Sequence, residues 1–224
     1  MIYDIIEMQG LKTVIRYPDG FEKGKKYPVV FFCHGAGSRG SNTTVLLNNP
    51  FFKYTEIHDD FPFVMVAPQC PSDSWFDVFE SLQKIAFEVS NADYADSERI
   101  YLMGVSMGGY GSWQLAMAQP KIFAAMVPIC GGGMYWNAGR LINVPVWAFH
   151  GKLDTCVFPV ESEKMVDAVN KHGGSAKLTL YPDCGHDSWT YTFRNREVFE
   201  WLLSHKNSNA KELKNIYVGA KAFG

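Results

Sequence analysis

Short runs of continuous apolar residues alternate along this chain with stretches whose apolar positions recur every three or four residues. The run "VVFFC" (29–33) has no polar positions, as a strand covered on both faces requires. "LKTVIRY" (11–17) alternates instead, and the turn-rich link "PDGFEKGKKYP" between the two predicts an antiparallel hairpin at this end of a sheet. Five further apolar runs, at 63–68, 99–105, 124–130, 144–150 and 176–182, read as strands. Helical spacing predicts helices over 77–91, 107–118, 160–172 and 190–204. Strand alternating with helix from residue 63 onward implies an α/β fold, a mostly parallel central sheet with helices on both faces. No repeat, low-complexity tract or linker divides the chain, so residues 1–224 are expected to form one domain. The lysine-rich, weakly patterned tail (207–224) is expected to lie on the surface.

Composition narrows the partners. The net charge is −2 and no block of Lys or Arg stands out, so neither nucleic acid nor an anionic membrane surface is expected as a partner. No apolar run approaches the ~18 residues of a membrane span. "MIYDIIEMQG" lacks a basic region followed by an apolar one, so it does not read as a signal peptide. A cytoplasmic protein is expected, with a secreted form whose leader has been removed as the alternative. Five scattered cysteines (33, 70, 130, 156, 184) argue for reduced thiols over a disulfide framework. Cys156 and Cys184 would be the pair to join if the chain is secreted. No two cysteines have zinc-site spacing, and no metal or organic cofactor is expected.

The chemistry centres on "GVSMGGYGSW" (104–113), which lies between a predicted strand and a predicted helix. A serine on such a turn projects its hydroxyl above the sheet's C-terminal edge, provided Gly104 and Gly108 let strand and helix close on each other. Gly109 and Gly111 would let the helix approach the sheet. The serine hydroxyl then needs a base and a group to orient that base. His186, in "PDCGHDSW", follows the last predicted strand, and loops after parallel strands converge on the edge that carries Ser106. His172 and His205 fall on helical or terminal segments, and His58 lies in a charged loop. Asp154, four residues after the strand ending at His150, is the orienting acid in this reading; Asp183 and Asp187 are rivals too close in sequence to His186. "HGAG" (34–37) follows another strand and offers free amides, so the N–H groups of Ala36 and Met107 are the expected oxyanion donors. His34 and His150, each opening an H-G pair at a strand end, read as structural, satisfying backbone groups at the turns.

Taken together, "KKYPVVFFCHGAGSRG" (25–40), "APQCP" (67–71), "GVSMGGYGSW", "HGKLDTCV" (150–157) and "CGHDSW" (184–189) resemble the α/β-hydrolase superfamily. The likeness is to compact serine esterases of the carboxylesterase, feruloyl-esterase and dienelactone-hydrolase-like groups. The chain is also similar to the catalytic domains of prolyl-oligopeptidase-type peptidases. The resemblance implies an α/β-hydrolase fold with minimal or no cap, and a Ser106-His186-Asp154 triad working through an acyl-enzyme. Ser106 stands where dienelactone hydrolases proper carry a cysteine, so lactone-ring chemistry does not carry over. A serine carboxylester hydrolase is expected, acting on small acyl or aromatic esters such as acetyl or feruloyl, carbohydrate-linked ones included. A small serine peptidase and a non-catalytic binding protein are the alternatives. Trp75, Trp136 and Trp189 each follow a strand and are expected to line the substrate pocket.

Overall fold

The computed structural model describes residues 2–55 and 61–208; His58 and the tail from residue 209 lie outside them. Eight strands form one sheet in the order β1-β2-β4-β3-β5-β6-β7-β8: β1 (Ile2–Met8), β2 (Leu11–Tyr17), β3 (Tyr27–Cys33), β4 (Val64–Pro68), β5 (Ala95–Val105), β6 (Ala125–Ile129), β7 (Val146–Gly151) and β8 (Ala176–Tyr181). Strands β3 to β8 run parallel, as the alternation of strand and helix predicts. Seven helices accompany them among the described residues: α1 (Thr43–Leu47), α2 (Pro50–Thr55), α3 (Phe79–Ser90), α4 (Met107–Ala118), α5 (Val160–Lys171), α6 (Ser188–Arg194) and α7 (Arg196–Leu203). None of the described helices is long and apolar enough to cross a membrane.

The two faces of the sheet carry separate cores, set by strict alternation along the central strands. Val29, Phe31 and Cys33 of β3, with Ile100 and Leu102 of β5, pack against α3, α4 and α5. Val30 and Phe32, with Tyr101, Met103 and Val105, pack against α1, α2, α6 and α7 on the other face. All seven residues of β3 are buried, which is why its run carries no polar position.

The hairpin expected between β2 and β3 is not formed. β2 pairs instead with β1, through a turn in which Gln9 and Gly10 both take positive φ (49° and 77°), and on its other edge with β4. A strand buried on both faces and flanked on both edges needs neighbours on each side, and β3 finds parallel ones in β4 and β5. β1 escaped the pattern because it is an edge strand with Tyr3, Ile5 and Ile6 all exposed, so its sequence shows no alternation. The expected helix over 190–204 is two helices. Asn195, in extended conformation, closes α6 and caps α7 by accepting from the Glu197 N–H.

Phe51 of α2 ties the second core together: its ring stacks on Phe32 at 4.0 Å and meets Phe193 edge-on at 5.2 Å. Phe51→Ala is expected to cost about 3–5 kcal/mol of unfolding free energy. A lowered urea midpoint with unchanged denaturant sensitivity is the measurement that checks it.

Candidate active site

The parallel strands deliver their following loops to one edge, and Ser106 stands there between β5 and α4. Its backbone has φ 53° and ψ −118°, a left-handed conformation that an L-residue adopts only under constraint. The constraint is close packing. A Cβ on Gly104 would meet the Gly108 carbonyl oxygen at 2.1 Å, and one on Gly108 would meet that of Cys33 at 2.0 Å. Neither position admits any side chain. The Ser106 N–H donates to the Ile129 carbonyl at 2.9 Å, fastening the turn to β6.

Asp154 follows β7 and His186 follows β8. These two loops are joined by backbone bonds from Leu153 N–H to Cys184 O and from Lys152 N–H to Tyr181 O, both 2.9 Å. His186 Nδ1 lies 2.7 Å from Asp154 Oδ2, and its Nε2 lies 2.9 Å from Ser106 Oγ. A carboxylate only accepts, so Nδ1 carries the proton and Nε2 is free to accept from the serine hydroxyl. The Asp154 side chain has no exposed surface. Burial alone would raise its carboxyl, but bonds from His186 and from the Val157 and Cys156 N–H groups outweigh this and hold it below the ordinary carboxylate value. The rivals are accounted for: Asp187 caps α6 by accepting from the Thr190 N–H, and Asp183 is exposed.

The loop after β3 abuts the serine: a Cβ on Gly35 would lie 3.6 Å from Ser106 Cβ. His34 organises this loop. Its Nε2 accepts the Cys70 N–H at 2.9 Å, so its Nδ1–H donates to the Gly35 carbonyl at 2.7 Å. With that carbonyl held by His34, the trans peptide turns the Ala36 N–H the opposite way. Among the described residues no backbone carbonyl accepts from the N–H of Ala36 or Met107. Ala36 and Met107 are the first residues of the 36–38 turn and of α4, positions whose N–H groups have no acceptor within their own helix.

A cavity of about 720 Å³ opens over this group, lined by the 35–38 loop, Val45, Asn48, Asn49, Pro50, Cys156 and Trp189 with Ser106 and His186. Of the three tryptophans expected here, Trp189 alone lines it, its ring edge-on to His186 at 5.3 Å. Trp75 is wholly buried, donating its indole N–H to the His34 carbonyl at 3.0 Å under the helix at Gly111. Trp136 is 69% exposed and packs on Tyr135, away from the cavity lining. Both follow strands, but the Trp75 side chain fills the space beneath α4 while that of Trp136 stays in solvent beside Tyr135. The segment Val45–Pro50 went unrecognised as a wall because α1 and α2 are too short to show a period. The five cysteines are free, Cys156 and Cys184 included.

Among the described residues one group could offer three ligands to a metal ion: Cys130, Asp154 and His186, within 4.8 Å of one another. Two of the three, Asp154 and His186, are bonded to each other at 2.7 Å, and burial pushes the Cys130 thiol up to about 12.

Residues 75–215 match the profile of the dienelactone hydrolase family. The chain belongs to that family. This dienelactone hydrolase relative is 31% identical to a thermostable esterase of known structure, with a TM-score of 0.73, covering 88% of this chain and 59% of that one. It is 22% identical to dipeptidyl-peptidase 5 of Porphyromonas gingivalis over 85% of this chain and 35% of that protein. It is also 25% identical to a protein named probable feruloyl esterase C from Aspergillus terreus, over 69% of this chain and 58% of that one. The chain spans about a third of the length of the dipeptidyl-peptidase relatives it matches. The family match and the structural likeness agree on the α/β-hydrolase fold.

His34 supplies a pH signature. Burial, chiefly, lowers its pKa from the ordinary 6.5 to about 4, the Gly35 carbonyl opposing and Arg39 assisting. Between those two values the unfolded chain holds a proton that the folded chain refuses, so stability falls as pH falls through that window. The full effect is about 3 kcal/mol. His34→Asn, which retains an N–H for Gly35, should flatten this part of the profile; urea midpoints of both proteins across the window check it.

Proposed function

We propose that the protein is a serine carboxylester hydrolase in which Ser106, His186 and Asp154 act as nucleophile, general base and orienting acid. The observation that carries this reading is the continuous hydrogen-bonded line from Ser106 Oγ through both ring nitrogens of His186 to the buried Asp154 carboxylate. In the proposed reaction Ser106 Oγ attacks an ester carbonyl while Nε2 takes its proton. The tetrahedral oxyanion is received by the amides of Ala36 and Met107, and Nε2–H then protonates the leaving alcohol. Water repeats the sequence on the acyl-enzyme and releases the acid.

The cavity lining supports an uncharged substrate. Among the described residues, the lining side chains apart from His186 are small, apolar or amide, and none is a carboxylate placed to hold a substrate ammonium. Trp189 offers one aromatic face and Asn48 an amide, whereas the Asn49 amide is already engaged by Ser38 Oγ and the Phe51 N–H. Small acyl or aromatic esters, such as acetyl or feruloyl groups, suit this lining, and an ester-linked carbohydrate is compatible with it. The likeness to dipeptidyl-peptidase 5 favours a second reading, a small serine peptidase with the same three residues. Higher kcat/KM on aryl esters than on matched aminoacyl anilides is the outcome expected of the esterase; the reverse order would install the peptidase.

Ser106→Ala should abolish labelling by a fluorophosphonate probe and lower ester turnover by at least about a thousandfold. Equal labelling of wild type and variant would remove Ser106 from the mechanism.

A further inference from the structure

A second histidine stands against the aspartate. His150, the penultimate residue of β7, is fully buried, and its Nε2 lies 3.2 Å from Asp154 Oδ2. The same Nε2 lies 2.9 Å from the Val157 carbonyl. Both neighbours of that nitrogen are pure acceptors, so Nε2 carries a hydrogen. On the ring's other side Nδ1 lies 2.8 Å from Ser162 Oγ of α5, and that hydroxyl also reaches the Gly131 carbonyl at 2.9 Å. Whichever way the Ser162 hydroxyl turns, the Nε2–H stays aimed at the turn that holds Asp154.

That turn is gripped from both ends. The N–H groups of Cys156 and Val157 donate to Asp154 Oδ1, at 2.8 and 3.0 Å, while the carbonyl of Val157 accepts from His150. The oxygen that orients His186, Oδ2, therefore has one imidazole at 2.7 Å and another at 3.2 Å. We propose that His150 is a positioning residue for Asp154: it fixes the 154–157 turn and draws part of the Oδ2 charge away from His186. This inference rests on the proposed roles of Ser106, His186 and Asp154.

The sign of the effect follows from electrostatics. A positive N–H edge beside Oδ2 weakens the carboxylate's hold on a protonated His186. Without that edge the protonated, inactive form persists to higher pH, so the acid limb of kcat/KM moves up. Among the described residues the other titratable groups near the pair are Cys184 and Asp187 from the loop after β8, Cys130 from the end of β6, Tyr110 from α4 and, beside Ser162, Glu161. Burial raises Cys184, Cys130 and Tyr110 above their ordinary values, which keeps all three uncharged in the window of interest.

Two amide substitutions separate the ring's two edges. His150→Gln places an amide nitrogen near the Nε2 position, whereas His150→Asn reaches only the Nδ1 position and leaves Val157 and Asp154 without the donor. The kcat/KM for an aryl ester is measured over roughly pH 5 to 8, per site titrated with fluorophosphonate so that unfolded protein does not count. His150→Asn should raise the acid-limb midpoint by about half a pH unit or more and lower kcat/KM about tenfold. His150→Gln should keep the wild-type midpoint and lose about twofold or less. An unmoved midpoint in His150→Asn, or equal shifts in both variants, overturns the proposal. Ser106→Ala runs alongside: if it labels like wild type, the proposed triad itself is wrong, whereas a silent Ser106→Ala with an unmoved His150→Asn rejects the role of His150 alone.

Discussion

The structure turns on one crowded peptide junction, where β5 passes through Ser106 into α4. A non-glycine residue at φ 53° costs on the order of 1–3 kcal/mol, so the junction persists only because its surroundings leave no alternative. β3 approaches from one side and the end of β6 from the other, with carbonyl oxygens occupying the space that side chains at Gly104, Gly108 and Gly109 would need. Two buried cores brace the junction from opposite faces of the sheet. Relaxing it would require separating three central strands. The serine is consequently held rigid, and the amides of Ala36 and Met107 are carried on elements anchored to the same contact.

The second constraint is electrostatic. Asp154 places a carboxylate where it has no exposed surface, and a buried charge is tolerable only when hydrogen bonds replace its water. Two backbone N–H groups and His186 do so directly, and His150 stands beside them. This demand also explains the tight approach of the two loops, where a Cβ on Gly151 would meet the Gly185 carbonyl at 1.9 Å. The loops after β7 and β8 thus arrive already in register, and the reach from serine to aspartate needs no rearrangement. His34 and His150 are alike in this: each is a buried imidazole that uses both nitrogens, His34 on the Gly35 carbonyl and the Cys70 N–H, His150 on Ser162 and the Val157 carbonyl.

Much of this is legible in the sequence, because periodicity is a local property. The strand at 11–17 and the helix at 107–118 emerge with the bounds the pattern predicts, and Ser106, Asp154 and His186 each stand out as polar residues just past an apolar run. The edge strand β1 and the short helices α1 and α2 were silent, since an exposed edge does not alternate and two turns of helix carry no period. Polar "DSE" (96–98) hides the start of β5, where the side chains after Ala95 are half-buried.

By itself, then, the sequence determined the class of fold, the central strands and the three polar groups that parallel topology sends to one edge. Pairing and depth were decided only in three dimensions. β2 bonded to β1 and β4 because β3 needed parallel neighbours on both sides. Both follow strands, yet Trp75 goes beneath α4, where Gly111 leaves room for its indole, while Trp136 stays exposed beside Tyr135. His150 met Asp154 for the same reason: adjacency at i and i+4 is visible in the sequence, but the direction of a side chain past the end of a strand is set by what packs against it.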